Sequence, residues 1–300
     1  MVHDSGAAPD FLVVGHITRD LLPDGAWRLG GTVVFAALTA ARLGKRPAIV
    51  TSGPPDVLEA LRAVAPDVPV AAVPSDEATT FENTYDSGGH RRQHLRGRAA
   101  PLTLAAVPEA WRGASLVLLA PLAQEVAREL AQAFPSGIVA ATPQGWLRRW
   151  DAGGLVTPGP WTEAHAVLPH LAALIMSDED LIPEPADELD ASAARTRGEQ
   201  MIASWAATVP IVAITQGSAG ADLWTGGTRE HFPAYPVREV DPTGAGDVFA
   251  AAFLCRWQAT HDPRSAMDFA NCMASFVVEC EGPLGIPELG DVEARMRAAH

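Results

Sequence analysis

A run of small residues ahead of a helical pattern is the part of this 300-residue sequence best suited to chemistry. It reads Val240-Asp241-Pro242-Thr243-Gly244-Ala245-Gly246-Asp247, and apolar residues at helical spacing follow it. We therefore expect a helix to begin near Gly244 or Ala245. The unpaired N–H groups and partial positive charge of a helix N-terminus bind phosphate, and Asp247 would meet a substrate hydroxyl beside that phosphate. The pattern favours phosphoryl transfer.

The Gly-Ala-Gly-Asp run also occurs in segments that do not transfer phosphate. An isolated Asp247 would be an ordinary first-turn acid that the helix dipole stabilises. A dinucleotide-binding GxGxxG motif is excluded, because Phe249 stands where that motif needs Gly or Ala. No GxxxxGK[ST] run occurs in the sequence, which excludes a P-loop enzyme.

The composition indicates a globular protein that does not bind polyanions in general. Hydrophobic residues make up 48% of the chain and charged residues 19%, which is enough apolar surface for a large core. The formal net charge of −14 argues against general affinity for nucleic acid or for anionic membranes. Three cysteines without CxxC spacing, no signal-peptide pattern and no 20-residue apolar run predict a cytoplasmic protein.

Short apolar runs alternate with helical patterns along the chain. This order predicts an α/β fold in which a mostly parallel sheet is covered on both faces. The predicted strands cover residues 11–15, 48–51, 116–119, 138–141, 173–176 and 211–215. The predicted helices cover residues 33–43, 55–65, 123–134 and 197–207.

Three polar segments interrupt this alternation. Residues 79–98 and 221–232 each carry β-forming residues around a Gly-Gly turn, and we expect two hairpins. Arg91, Arg92, Arg96 and Arg98 lie in the first hairpin, either as solvent-facing charges or as contacts for an anionic substrate. Residues 142–160 are rich in Pro and Gly and are predicted to form an ordered loop.

Taken together, the motifs resemble those of the ribokinase-like, or phosphofructokinase-B type, carbohydrate kinases. Residues 240–249 are similar to the family's C-terminal signature, Leu29-Gly30-Gly31 to its N-terminal Gly-Gly motif, and residues 214–220 to its nucleotide turn. The resemblance covers almost the whole chain. It implies one domain over residues 1–300, built as a three-layer sandwich with a small β lid from about 18–30 and 79–98. Phe35, Thr79-Thr80-Phe81 and Ser177-Asp178-Glu179 resemble the plant-type myo-inositol kinases most closely.

The resemblance also implies a role for each motif. Asp247 would be the general base, and Gly244, Ala245 and Gly246 would form the anion hole for the transferred phosphoryl group. The substrate would meet Thr18, Asp20, Gly30, Gly31 and Phe35. The nucleotide would meet Thr215, Gly217, Ser218, Gly220, Thr243 and Asn271. Ser177 and Asp180 would serve Mg²⁺, and Asp241 would hold a monovalent cation such as K⁺.

Several positions depart from the family pattern. The usual NxxE motif, which orders magnesium-bound water, appears as Ser177-Asp178-Glu179-Asp180, with a carboxylate that is one methylene shorter. The three acids there are alternatively a solvated helix start. Phe35 replaces an Asn that faces the sugar in many relatives, and its alternative role is core packing. Asp241 is alternatively a turn cap before Pro242.

These observations predict an ATP- and Mg²⁺-dependent kinase that phosphorylates a hydroxyl of a small sugar or cyclic polyol. A nucleoside kinase, a kinase for a sugar acid or sugar phosphate, and a non-catalytic sugar- or nucleotide-binding protein are the alternatives. We expect a monomer or a homodimer with a small-molecule substrate and no nucleic-acid or membrane partner.

Overall fold

The computed structural model describes residues 7–85, 91–181 and 191–299. Its strands are β1 (Phe11–Val14), β2 (Thr18–Leu21), β3 (Trp27–Gly30), β4 (Pro47–Gly53), β5 (Val70–Pro74), β6 (Thr79–Tyr85), β7 (Arg91–Gly97), β8 (Leu116–Leu119), β9 (Ile138–Ala141), β10 (Arg148–Trp150), β11 (Val156–Pro158), β12 (Ala173–Ser177), β13 (Ile211–Thr215), β14 (Ala221–Thr225) and β15 (Thr228–Phe232). Its α-helices are α1 (Thr32–Arg42), α2 (Pro55–Val64), α3 (Ala164–Val167), α4 (Ala191–Ala206), α5 (Ala245–Thr260), α6 (Pro263–Val277) and α7 (Leu289–Ala299).

The central sheet has the order β15-β14-β13-β12-β9-β8-β1-β4-β5 within the described residues. Neighbouring strands from β13 to β5 pair in parallel, and the β14–β15 hairpin adds two antiparallel strands at one edge. The prediction of a mostly parallel sheet is therefore confirmed. A short connection joins the hairpin strands at Gly226-Gly227, where both residues have positive φ, as predicted.

Alternate residues of each central strand enter opposite hydrophobic cores. On β1, Phe11 and Val13 belong to the core under α1, α5 and α6, whereas Leu12 and Val14 belong to the core on the other face. All four side chains are fully buried. Because both faces are covered, these strands are apolar throughout, as expected for parallel sheets. The sheet and its two covering layers form the three-layer arrangement that the sequence predicted.

A second, smaller sheet has the strand order β3-β2-β6-β7. Strand β2 pairs antiparallel with β3 and parallel with β6, and β6 pairs antiparallel with β7. This sheet contains the two segments predicted to form a lid, although the predicted turn at 87–89 lies outside the described residues. The ring of His16, just after β1, joins it to the core, since its Nδ1 lies 2.6 Å from Thr79 Oγ1 and its Nε2 lies 2.8 Å from the Ala100 carbonyl oxygen.

The prediction of a helix over residues 123–134 is wrong. Only a 3-10 turn, Arg128–Gln132, forms there. The Glu125 side chain is fully buried and turns back to accept hydrogen bonds from the N–H groups of Leu122 and Ala123, at 3.0 and 2.6 Å, and of His16 at 3.1 Å. Its backbone carbonyl accepts from Leu102 N–H at 2.8 Å. These bonds to distant segments replace the helical ones that the local pattern favours.

The loop predicted over residues 142–160 also contains regular structure. A 3-10 turn, Pro143–Leu147, leads into the antiparallel pair β10–β11. Trp146 and Trp161 stack with 4.8 Å between ring centroids, which anchors the pair on the core. Among the described residues, no helix has the length and apolar character that crossing a bilayer requires.

The buried Glu125 carboxylate yields a stability prediction. We expect Glu125→Gln to lower the free energy of unfolding by about 1–3 kcal/mol, because the new amide group presents N–H donors to N–H groups that need an acceptor. Chemical denaturation followed by circular dichroism measures this change. Glu129→Gln, on an exposed residue of the same segment, is the matched control. Equal effects of the two substitutions would contradict a structural role for the Glu125 carboxylate.

Candidate active site

A cavity of about 700 Å³ opens where the small sheet faces the central sheet. Thr18, Asp20, Phe81 and Gln93 of the small sheet line one side of it. The ends of β12 and β13 and the start of α5 line the other side. Ligands of open α/β sheets bind outside the carboxyl ends of the strands, and this cavity has that position.

Helix α5 begins at the predicted place. Gly244 is its N-cap and has a left-handed backbone conformation with φ of 83°. The Ala245 N–H donates to the Pro242 carbonyl oxygen, whereas Gly246 and Asp247 stand in the first turn, where N–H groups have no intrahelical acceptor. Open space surrounds the position that a Gly246 Cβ would occupy. The turn therefore presents backbone donors to the cavity without side-chain obstruction.

The structure places Phe35 differently from the prediction. Its side chain is 2% exposed and is not among the cavity-lining residues. Its ring lies where a Cβ on Gly244 would be, so it packs beneath the first turn of α5. Glycine has no side chain to occupy that space, and the aromatic ring fills it. Phe35 thus packs against the first turn of α5 and does not face the cavity in this structure.

Asp247 projects from the first turn of α5 into the cavity wall. Thr32, in the first turn of α1, forms a side-chain hydrogen bond with the Asp247 carboxyl. Burial raises the pKa of Asp247 to about 6, and the carboxylates of Asp180 and Asp20 add to the rise. The Thr32 bond and the charge of Arg148 oppose it. A carboxyl group with this pKa is ionised at neutral pH yet basic enough to accept a proton.

A polar wall faces Asp247 from the small sheet. Thr18 Oγ1 donates to Asp20 Oδ1 at 3.1 Å. Gly30, opposite Thr18 on β3, does not line the cavity, but a Cβ there would overlap the Asp20 carboxylate. Gly30 therefore lets Asp20 keep its position. Phe81 supplies an apolar face beside these polar groups.

The acidic segment after β12 divides between the cavity and the protein interior. Ser177 and Glu179 line the cavity, whereas Asp180 does not. The Asp180 carboxylate accepts from Gln144 Nε2 at 3.1 Å and from Ser177 N–H at 3.2 Å. Burial raises the pKa of Asp180 above its ordinary range. The cavity-facing carboxylate of this segment is thus Glu179, one residue earlier than the predicted position.

Most of the predicted nucleotide-binding residues line the far end of the cavity. Thr215, Gly217, Ser218 and Gly220, from the turn between β13 and β14, line it together with Thr243 and Asn271. Asn271 Nδ2 donates to the carbonyl oxygens of Phe232 and Pro233 at 3.2 and 3.3 Å. Asp241 does not line the cavity, and its carboxylate accepts from Thr243 N–H at 2.9 Å and lies 3.8 Å from Arg28 Nη1.

Comparison with known proteins shows a family that these features resemble. The family model for pfkB family carbohydrate kinases matches residues 162–288, which include the α5 turn. The fold matches solved ribokinase-family structures over nearly the whole chain. Residues 162–288 are thus similar to the pfkB family of carbohydrate kinases, and the chain has the ribokinase fold.

Individual relatives of this chain differ in what they act on. It is 26% identical to a cytidine kinase of Thermococcus kodakarensis over 82% of this chain and 87% of that protein. A ribokinase of Bacillus subtilis is 40% identical over 27% of this chain and 28% of its own length. A pyrophosphate-dependent kinase in the ribokinase family, complexed with a pyrophosphate analog and myo-inositol, has a TM-score of 0.77 at 21% identity, covering 95% of this chain and 99% of its own.

The cavity also includes residues that the sequence motifs did not indicate. They are Thr32, Gln93, Gln144, Arg148 and Tyr235. Gln144 and Arg148 follow the buried strand β9, and the carboxyl end of a parallel strand is where functional residues are expected. That position was the signal that could have found them. Tyr235 lies in an irregular segment and carries no comparable signal.

The raised pKa of Asp247 has a consequence for stability. The folded pKa of about 6 exceeds the ordinary value of 3.8, so the folded state holds this proton more tightly than the unfolded chain does. The stabilising contribution is complete below pH 3.8 and is lost as the pH rises through 6. The Asp247→Asn variant has no carboxyl group at this position, so it does not lose this stability as the pH rises. We expect the variant to gain stability relative to wild type between pH 4 and pH 8, by up to about 3 kcal/mol.

Denaturation curves at several pH values measure the difference. Asp76→Asn, on an exposed residue, corrects for the change in net charge. A difference between Asp247→Asn and wild type that does not vary with pH would contradict the raised pKa.

Proposed function

We propose that this protein is a kinase of the pfkB family that transfers the γ-phosphoryl group of ATP to a hydroxyl group of a small, uncharged sugar or cyclic polyol. One observation carries the proposal. The Asp247 carboxylate and the open N-terminal turn of α5 face the same cavity as Asp20 of the small sheet. A base, an anion-binding turn and a hydroxyl-binding carboxylate are the parts that this reaction needs.

In the proposed reaction, Asp20 and Thr18 orient the acceptor, and Asp247 accepts the proton of its attacking hydroxyl. The hydroxyl oxygen forms a bond to the γ-phosphorus, and the bond from that phosphorus to the β-phosphate oxygen breaks, which releases ADP. The N–H groups of Gly246 and Asp247 hold the charge of the transferred group. Thr32 orients the base through its hydrogen bond.

The donor set beside the cavity suits Mg²⁺. Structures of the ribokinase fold have been solved with ATP and Mg²⁺. Mg²⁺ prefers oxygen ligands and is held by one or two carboxylates together with phosphates and water. Glu179 and Ser177 offer such oxygens at the cavity, with Asp180 behind them. The ion would neutralise phosphate charge, and these residues would hold it.

ATP is the proposed donor because the cavity extends beyond the phosphate turn. Tyr235, Pro236 and Val237 line that end, together with Ala274 and Val278 of the segment at and after the end of α6. These side chains provide an apolar surface for a base, which pyrophosphate does not need. An ATP complex of a ribokinase from Arabidopsis thaliana shares the fold, at a TM-score of 0.68.

The proposed acceptor is uncharged because two of the hairpin arginines, Arg96 and Arg98, bind elsewhere. Arg96 Nε donates to Glu82 Oε2 at 2.7 Å, and Arg98 Nη2 donates to the Gln124 carbonyl oxygen at 2.9 Å. Neither lines the cavity, which weakens the proposal of a sugar-acid or sugar-phosphate substrate. Nucleosides are the second candidate class, since the relative with the longest sequence coverage among those compared above is a cytidine kinase. The retained Asp247 argues against a purely binding role.

A coupled assay of ADP release tests the proposal across inositols, pentoses, hexoses, nucleosides, sugar acids and sugar phosphates. We expect turnover with ATP and Mg²⁺ on an inositol, another uncharged polyol or a nucleoside, and faster turnover with ATP than with pyrophosphate. Asp247→Asn should lower kcat by at least about 10²-fold, because proton transfer by a placed base contributes that much. Its ATP affinity should persist.

Three outcomes would contradict parts of this proposal. Selective turnover of an anionic sugar would overturn the acceptor class, and a preference for pyrophosphate would overturn the donor. Near-normal turnover in Asp247→Asn would remove that residue from the role of base.

Potassium is a further proposed requirement, based on Asp241 next to the anion-binding turn. We expect turnover to rise when K⁺ replaces Na⁺ at constant ionic strength, because K⁺ near this carboxylate would add positive charge beside the phosphates. Rates in matched potassium and sodium buffers measure the effect. Equal rates would leave Asp241 as a turn cap and as the partner of Arg28.

A further inference from the structure

Negatively charged side chains outnumber positively charged ones on the cavity wall. Its wall includes the carboxylates of Asp20, Glu179, Glu239 and Asp247. Among the lining residues that the structure describes, Arg148 is the one with a cationic side chain. A cavity that receives phosphate groups needs positive charge, and the helix N-terminus supplies only about half an elementary charge. The position of Arg148 therefore bears on the reaction.

Arg148 is held between the two sheets. It begins β10, directly after the Pro143–Leu147 turn. Its Nη1 donates to the Leu122 carbonyl oxygen at 3.1 Å, and its guanidinium lies over the Phe81 ring, 5.2 Å from the centroid. Leu122 and Phe81 both line the cavity. These contacts hold the guanidinium on the part of the cavity wall between the small sheet and the core.

The turn at residues 122–125 holds Arg148 in place through hydrogen bonds. Gln124 has a left-handed backbone conformation with φ of 58°, an uncommon conformation for a residue other than glycine. Its Nε2 donates to the Arg148 carbonyl oxygen at 2.5 Å. The buried Glu125 carboxylate fixes the N–H of Leu122, whose carbonyl binds the guanidinium. Strained, hydrogen-bonded backbone of this kind persists where the surroundings enforce it, and functional sites are common examples.

The charge of Arg148 reaches the proposed reaction centre. It opposes the rise in the pKa of the Asp247 carboxyl, which lines the same cavity as Arg148. At the moment of transfer, the base, the acceptor oxygen and the phosphorus must lie within a few Å of one another, roughly 3–3.5 Å for the reacting atoms. A cation on the wall of the same cavity as the base can therefore reach the transferred group.

We propose that Arg148 is a catalytic residue whose guanidinium binds the phosphoryl group during its transfer from ATP to the acceptor hydroxyl. This inference rests on the proposed kinase function. A guanidinium presents planar paired donors that match phosphoryl oxygens, and it remains charged at all relevant pH values. Its contact with Phe81 links this function to the small sheet, which also carries Asp20. Arg148 would then act only when that sheet lies over the acceptor.

Arg148→Met and Arg148→Lys test the proposal with the full-length protein. Arg128→Met, at an exposed arginine that pairs with Glu163, is the matched control. We expect Arg148→Met to lower kcat by at least about 10²-fold, since preorganised charge stabilisation is worth that much, with smaller changes in KM for ATP and acceptor. Arg148→Lys should recover part of the loss, and Arg128→Met should behave as wild type.

Two further readouts separate catalysis from folding. The acid limb of the kcat profile should move to higher pH in Arg148→Met, because the cation that favours ionised Asp247 is gone. ADP, Mg²⁺, aluminium fluoride and the acceptor together mimic the state in which the phosphoryl group is in transfer. The affinity of Arg148→Met for this mimic should fall much more than its affinity for ADP alone. Thermal unfolding checks that the variants fold, and if Arg148→Met does not, the equally uncharged Arg148→Gln carries the same measurements.

The outcomes distinguish this inference from the proposed function. Wild-type turnover that depends on Asp247 but persists unchanged in Arg148→Met would overturn the inference alone. Loss of kcat with an unmoved pH profile and an unchanged affinity for the mimic would assign Arg148 a structural role and would also overturn it. Absence of phosphoryl transfer by the wild type would overturn the proposed function together with this inference.

Discussion

The packing of the Phe35 ring against the bare backbone of Gly244 fixes the position of the site. Any side chain at position 244 would overlap that ring, and the left-handed φ of 83° there turns the chain into α5. The N–H groups of Gly246 and Asp247 and the Asp247 carboxylate take their direction from this turn. Two helices thus meet at one contact, since Phe35 lies on α1 and Gly244 caps α5. Thr32, also on α1, then reaches the same carboxyl.

A second constraint is the crowding of carboxylates around one cavity. Asp20, Glu179 and Glu239 share it with Asp247, and Asp180 lies behind the wall. Burial and like charges oppose ionisation of Asp247, and this gives a carboxyl group the basicity that a general base requires. The same crowding would make entry of ATP without a counter-ion unfavourable. In our proposal, Mg²⁺, the α5 turn and Arg148 meet the phosphate charge.

The parts of the fold that follow local patterns were predictable from the sequence. The central strands are apolar runs bounded by turn residues, and the start of α5 carries three small residues before a helical repeat. The segment around Glu125 was not predictable in this way. Its helical pattern is overruled by hydrogen bonds to His16 and Leu102, which are distant in sequence. Local propensity is a weak prior when a buried side chain can satisfy the backbone of other segments.

In the candidate site, too, some residues could be predicted from local patterns and others could not. Motif residues such as Asp20 and Asp247 could be placed at the cavity from the sequence, because the residue types next to them in the chain form recognisable motifs. Phe35 was misplaced because a resemblance indicates the position of a residue on a helix but not the direction of its ring. Arg148 was missed because its setting comes from Leu122 and Phe81, on two other segments. Residues whose function depends on such tertiary contacts need the structure.

The central claim is that Asp247 and the α5 turn meet an acceptor hydroxyl and the γ-phosphate at one point. A crystal structure with Mg²⁺, a non-hydrolysable ATP analogue and a turned-over acceptor tests it most directly. We predict that one acceptor hydroxyl oxygen lies about 2.6–3.2 Å from an Asp247 carboxylate oxygen, in line with the γ-phosphate bound at the Gly246 and Asp247 N–H groups. An acceptor bound outside hydrogen-bond reach of Asp247, or a γ-phosphate held away from this turn, would contradict the account.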